Sequence, residues 1–148
     1  MITFVEIILY GYIMGNNQFR LGNWVKPIND SGKESFEGTV FMIKEHLVSV
    51  LHNKNPYDYH LVKPIPLTEE WLKKFGFKLE YGKYYSKCVQ NGVGRFVIEN
   101  AYNLPCVLFV NENEPNGVGC QTIGKSIVYV HELQNLYFAL TGEELEIK

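Results

Sequence analysis

The chain has 148 residues, a formal net charge of -2 and a sequence pI near 6.1. That length can bury a core without disulfides or metals, and the lack of a basic excess excludes a dedicated binder of duplex nucleic acid. Its three cysteines, Cys88, Cys106 and Cys120, are odd in number and widely spaced, with no C-x-x-C pair. This argues against a disulfide framework and fits a reducing cytosol.

The first fourteen residues, MITFVEIILYGYIM, are apolar but contain Glu6 and lack a basic flank. They are too short to span a bilayer and read as an edge strand rather than an anchor. Met14 stands as an alternative start to Met1. Leu21 to Val25 opens the next strand, which Pro27 and the cluster Asn29-Asp30-Ser31-Gly32 close. Gly38 to Lys44 and Leu47 to His52 are expected to form a hairpin around Glu45 and His46, with a further strand at Tyr59 to Val62. The Gly22-Asn23-Trp24-Val25 opening and the short strands after it suggest a small SH3-like barrel.

The segment Pro64 to Phe77 predicts a short helix. Thr68 stands at its N-cap, Glu69 and Glu70 lie in the first turn, Lys73 and Lys74 in the last, and Gly76 follows as the stop. Leu67 and Leu72 fit a hydrophobic staple, and Trp71, Leu72 and Phe75 form the side expected to be buried. Tyr81-Gly82-Lys83 reads as a tight turn. Tyr84 to Gln90 and Val93 to Glu99, joined by Asn91-Gly92, read as a hairpin. Cys106 to Val110 is a continuous apolar strand, Asn111 to Gly119 a polar loop, and Ser126 to Val130 a last strand. Val130, Leu133, Leu136, Tyr137 and Leu140 then recur at helical spacing up to a left-handed cap at Gly142, after which Leu145 to Ile147 could add an edge strand.

The fold class is therefore α+β and β-rich. It is either an SH3-like small barrel or a twisted antiparallel sheet, with a short middle helix and a C-terminal helix. No low-complexity linker interrupts residues 1–148, so one domain is expected, with a sub-division into 15–66 and 67–148 as the alternative.

Chemistry-bearing residues are sparse. His46, His52 and His60 lack the spacing of a zinc motif, so no metal and no cofactor is expected. His131 begins the terminal helix and reads as an exposed first-turn residue, and nothing in sequence near any cysteine lowers its thiol pKa. No catalytic residue stands out. The tetrapeptide NGVG occurs at Asn91 to Gly94 and at Asn116 to Gly119. Its glycines at Gly92, Gly94, Gly117 and Gly119 could expose backbone amides as an anion nest, with Arg95 adding a phosphate contact; hairpin turns are the simpler reading. Lys83, Lys87 and Arg95 are interleaved with Tyr81, Tyr84 and Tyr85, a pattern that suits base stacking and phosphate contact, or else a solvated strand face. The candidate ligand site is thus Lys83, Tyr84, Lys87, Gly92, Gly94, Arg95, Gly117 and Gly119.

FRLGNWV (residues 19 to 25), PIPLTEEWLKKFGF (64 to 77) and VHELQNLYFALTGEEL (130 to 145) resemble a family of small uncharacterised proteins of phages and mobile elements of gut Bacteroidetes. The resemblance implies a phage-type origin and an accessory role in the host cytosol. It carries over no catalytic residue. The resulting expectation is a non-enzymatic binding protein that sequesters a host nucleotide signal or a host factor as a counter-defence. A virion structural or assembly protein and a small hydrolase using His131 are the alternatives. Expected partners are a small nucleotide or host protein and further copies of the chain, with no duplex nucleic acid and no membrane.

Overall fold

The computed structural model describes residues 19–89, 94–101, 104–110, 121–122 and 126–148, with backbone alone for 100–101, 104–110 and 121–122. The expected leading strand and the Asn111 to Gly119 loop lie outside these residues. The chain forms two compact units that part between Pro64 and Ile65. Each contains one five-stranded antiparallel sheet, so the strand-rich α+β class is found in its twisted-sheet form.

The first unit carries β1 (Trp24–Pro27), β2 (Gly38–Lys44), β3 (Leu47–Val50), β4 (Tyr57–Asp58) and β5 (Val62–Pro64) in the order β4-β3-β2-β1-β5. β1 starts later than expected. The chain turns first at Arg20 to Asn23, where the Asn23 amide donates to the Arg20 carbonyl at 3.0 Å and the Arg20 amide to Asn23 Oδ1 at 2.7 Å. Gly22 permits that turn with φ 88°.

The predicted β2-β3 hairpin is present, and Lys44 pairs with Leu47 across the two-residue turn Glu45-His46. Glu45 takes the positive φ, 53°, that the first central residue of a type II′ turn needs. The strand expected at Tyr59 to Val62 is instead a 3-10 turn, Tyr59–Leu61, followed by β5. This turn links the two outer strands. Three residues of 3-10 helix rise only about 6 Å, so the sheet edges must curl toward each other there. Among the described residues no ladder joins those edges to close a barrel. The core consists of Phe19, Val25, Val40, Val48, Val50 and Val62, with Tyr57 and Tyr59 packed against it.

The second unit orders its strands β10-β9-β8-β7-β6: β6 (Lys78–Glu80), β7 (Tyr84–Cys88), β8 (Arg95–Ala101), β9 (Leu104–Val110) and β10 (Gln121–Thr122). Helix α1 (Glu69–Lys74) has both predicted ends. Thr68 Oγ1 accepts the Trp71 amide at its N-terminus. At the other end the Phe77 amide reaches the Leu72 carbonyl and the Gly76 amide the Lys73 carbonyl. That is the Schellman pattern, with Gly76 left-handed at φ 83°. Glu69–Lys73 and Glu70–Lys74 ion pairs run along its exposed side at 2.8 and 2.9 Å.

Helix α2 (Val130–Thr141) ends at Gly142, φ 73°, whose amide donates to the Phe138 carbonyl at 2.8 Å. Its start is held by Glu132, whose Oε2 accepts the Val128 and Tyr129 amides. The buried stripe is Val130, His131, Leu133, Gln134 and Tyr137. Leu140, expected inside, is exposed and Leu136 half-buried, so the helix is rotated relative to the stripe that the apolar residues alone suggest. The strand expected at Ser126 to Val130 shrinks to one bridge, Pro66 to Tyr129. Proline offers no amide with which to extend the ladder. Leu145 to Ile147 is likewise no strand: Leu145 is buried and the Lys148 amide donates to the Lys74 carbonyl at 3.0 Å. Among the described residues no helix is long and apolar enough to cross a membrane.

The two left-handed helix stops differ in their surroundings. A Cβ at Gly142 meets nothing within 4 Å, whereas one at Gly76 lies 3.1 Å from Lys148 Cδ and 3.3 Å from Lys87 Nζ. Gly142→Ala is expected to cost about 1 kcal/mol from backbone conformation alone. Gly76→Ala should cost more, because two lysine side chains must also shift. Urea denaturation of both variants measures the difference.

Candidate functional site

The candidate residues lie around β6, β7 and β8, and the ladder register decides which of them meet. Glu80 pairs with Tyr84, Tyr84 with Glu99, and Cys88 with Arg95. Directly paired residues share a face and successive residues along a strand change face. Tyr84, Glu80 and Arg95 therefore stand on one side of the sheet, while Tyr85, Lys87, Phe96 and Ile98 stand on the other. The second side is the core: Phe96 and Ile98 are fully buried, and the Phe96 ring packs 5.3 Å from Tyr137 of α2 and 6.3 Å from Phe77.

Lys87 follows from that parity. Its ammonium sits among core-facing groups and donates to the Phe75 carbonyl at the end of α1. Burial lowers its pKa, the nearby Lys148 lowers it further, and Glu143 partly opposes both. Its contacts are those of a lysine that completes a helix end, where a cation is favoured by the dipole. Tyr85 beside it is also structural. Its phenol is pushed up to about 12 by burial and by the hydrogen-bonded Glu69 carboxylate of α1.

On the outer side, Arg95 Nη1 donates to Glu80 Oε1 at 2.8 Å, with about a third of the Arg95 side chain exposed. Glu80 was not among the residues singled out by sequence, although pairing the Tyr81-Gly82-Lys83 turn through to β7 places it opposite Tyr84. Partial burial and the Glu80 carboxylate raise the Tyr84 phenol, and Arg95 acts in the opposite sense. The Tyr81 and Tyr84 rings lie 6.0 Å apart at 52°. The turn between them carries two positive φ values, Tyr81 at 53° and Gly82 at 66°, and the Lys83 amide closes it onto the Glu80 carbonyl at 3.1 Å. Asparagine is the easier residue at the first of these positions. Tyrosine occupies it here, with 85% of its surface exposed. Lys83 is exposed in the same turn.

The hairpin joining β7 to β8 is present, with the Val89 amide donating to the buried Gly94 carbonyl at 3.1 Å. Its tip, Gly92 included, lies outside the described residues, as do Gly117 and Gly119. The structure thus brings Tyr84 and Arg95 to one face, places Lys83 in the adjoining turn and turns the half-buried Lys87 to the opposite, core-facing side.

Other chemical candidates are dispersed. Among the described residues no three His, Cys, Asp or Glu side chains converge as a metal site would need. His46 lies 3.8 Å from Asp58 on the surface. Cys88 is exposed, Cys106 has only its backbone described and Cys120 lies outside the described residues. His131 is a correction to the expected exposed histidine: it is 4% exposed, its ring stacked on Tyr129 at 5.9 Å. Burial pulls its pKa down to about 4, against a small opposing effect of Glu132.

Two outcomes follow from these environments. The unfolded chain protonates its histidine near pH 6.5, whereas folded His131 stays neutral until about pH 4. Stability therefore falls as pH drops through that interval and levels off below it, by about 3 kcal/mol in total for this group. His131→Phe should lack this component when denaturation midpoints are compared from pH 7 to 4. In Glu80→Gln, the Tyr84 ionisation followed by NMR of ring-labelled tyrosine should move down toward its ordinary value without reaching it, because partial burial remains. An unchanged value would show that Glu80 does not act on Tyr84. Comparison of the chain with family models, with curated proteins and with solved structures returns no match.

Proposed function

We propose that this chain is a non-enzymatic, phage-type accessory protein of the host cytosol that sequesters a small nucleotide as a counter-defence, taking it at the turn between β6 and β7. The observation that carries the reading is Tyr81, an aromatic ring held outward at a left-handed position and next to Tyr84. A ring kept exposed at a conformation that disfavours it is better explained by contact with a ligand than by packing. Tyrosine faces accept any nucleobase by stacking, worth about 1–3 kcal/mol per base. Lys83 and Arg95 supply positive charge for phosphate beside that shelf. Glu80 sets the orientation of the Arg95 guanidinium and tempers its charge, which favours a ligand of low phosphate count over a polyanion.

A host protein factor remains the sister reading, since exposed tyrosines also anchor protein interfaces. Exposed apolar side chains on β2 are the observation that favours an assembly role instead. The hydrolase reading loses support, because a buried histidine held near pKa 4 is a weak base for activating water at neutral pH.

A thermal-shift screen with cyclic and linear nucleotides tests the proposal. A ligand at about a hundred times its Kd adds about 2.7 kcal/mol, a rise of roughly 5–10 °C for a protein of this size. Tyr81→Ala and Arg95→Ala should each abolish most of the rise while leaving the unliganded Tm within a few degrees. If no nucleotide moves the Tm and none co-purifies with the protein, nucleotide sequestration is wrong.

A further inference from the structure

The row of side chains through Tyr84 carries a carboxylate on each side of the ring. Glu80 of β6 and Glu99 of β8 are both direct ladder partners of Tyr84, so all three stand on the same face, and the two glutamate backbones lie two strand spacings, about 10 Å, apart. Their settings differ. Glu80 is a quarter exposed and holds the Arg95 guanidinium at 2.8 Å. Glu99 is exposed, and among the described residues its carboxylate makes no hydrogen bond or ion pair.

Tyr84 leans toward the first of them. Its phenol is raised by burial and then by Glu80, which also accepts its hydrogen bond, whereas Glu99 has no part in the rise. The hydroxyl therefore stands on the Glu80 side of the row, which leaves the Glu99 side of the ring for a stacked base. An ionised carboxylate offers acceptors only. It is matched by two N–H donors side by side, and among the common nucleobases guanine alone presents that pair, at N1 and at the exocyclic N2. Adenine and cytosine set one amino donor beside a ring-nitrogen acceptor, and uracil sets its single N–H between two carbonyls. Each of these brings a lone pair against the Glu99 oxygens.

We infer that Glu99 makes the Tyr81-Tyr84 shelf selective for guanine, its two carboxylate oxygens accepting the N1 and N2 hydrogens of a base stacked on Tyr84. This rests on the proposed nucleotide site and adds the base that the site prefers. The charges agree with it. Arg95 is held at Glu80, across Tyr84 from Glu99, so a guanosine monophosphate with its base edge at Glu99 carries its phosphate over the ring toward the guanidinium and away from the unpaired carboxylate. The width of the row is within the reach of a nucleoside monophosphate from base edge to phosphate.

Calorimetric titration of the full chain with guanosine, inosine and adenosine monophosphates tests this. Guanosine monophosphate should bind about tenfold more tightly than adenosine monophosphate, the low end of the range for a bidentate base contact because Glu99 is open to solvent. Inosine monophosphate, which keeps the N1 hydrogen but lacks the N2 amino group, should fall between them. Glu99→Gln, a substitution of equal size at an exposed position, should keep the wild-type circular dichroism and bring the three ligands to nearly equal affinity, whereas Tyr81→Ala weakens all three. If the three bind in a Tyr81-dependent way but equally well, or if the guanine preference survives in Glu99→Gln, the selectivity is overturned while the shelf stands. If none of them binds, the shelf and the selectivity fall together.

Discussion

The register of β7 against its two neighbours is the constraint on which the second unit depends. Tyr85 pairs with Ile98 and Lys87 with Phe96, and that row turns inward to meet α1 and α2. The intervening row, with Tyr84 between Glu80 and Glu99, is then committed to the other face. A slip by one residue would bury Tyr84 and Arg95 and expose Phe96. The helices reinforce the choice rather than originate it. Glu69 holds Tyr85 from the first turn of α1, Lys87 closes the last turn, and Tyr137 of α2 covers Phe96. That alternation sets Phe96 and Ile98 on the core and Tyr84 with Arg95 on the opposite face, where the Ser86-Val97 pair between them is also buried.

That sorting changes the meaning of a basic, tyrosine-rich segment. By composition Lys83, Lys87 and Arg95 form one patch. In the fold they are three different things: an exposed turn lysine, a half-buried lysine completing a helix end and an arginine paired with a carboxylate. Lys87 is half-buried and its ammonium is committed to the Phe75 carbonyl, so it is poorly placed to hold phosphate. What remains outward is aromatic before it is basic. The proposed ligand class follows from that order, with stacking as the main attraction and charge as the orienting one.

Much of the fold was legible in the chain because its signals are local. The α1 ends follow from Thr68 and Gly76, the α2 end from Gly142, and the β2-β3 hairpin from two apolar runs flanking Glu45-His46. The errors arise where a distant partner decides. Tyr59 to Leu61 has strand-like residues but must turn the chain from one sheet edge to the other. Ser126 to Val130 meets Pro66, which cannot continue a ladder. His131 reads as a surface residue from its place in the first helical turn, and only the rotation of α2 on the core shows that it is buried. The candidate site was half legible. Tyr84 and Arg95 were visible as types, but the partnership of Arg95 with Glu80 spans β6 to β8 and needs the register of two hairpins to appear.

The central claim is that Tyr81 and Tyr84 form the contact shelf, in a chain that has ten tyrosines. A titration of the ring-labelled protein with the nucleotide that stabilises it most, followed by NMR, separates them. The account predicts saturable shifts in the Tyr81 and Tyr84 ring signals, with the buried Tyr85 and Tyr137 and the network-bound Tyr57 unmoved. Shifts confined to other tyrosines, or none at saturating nucleotide, would contradict it.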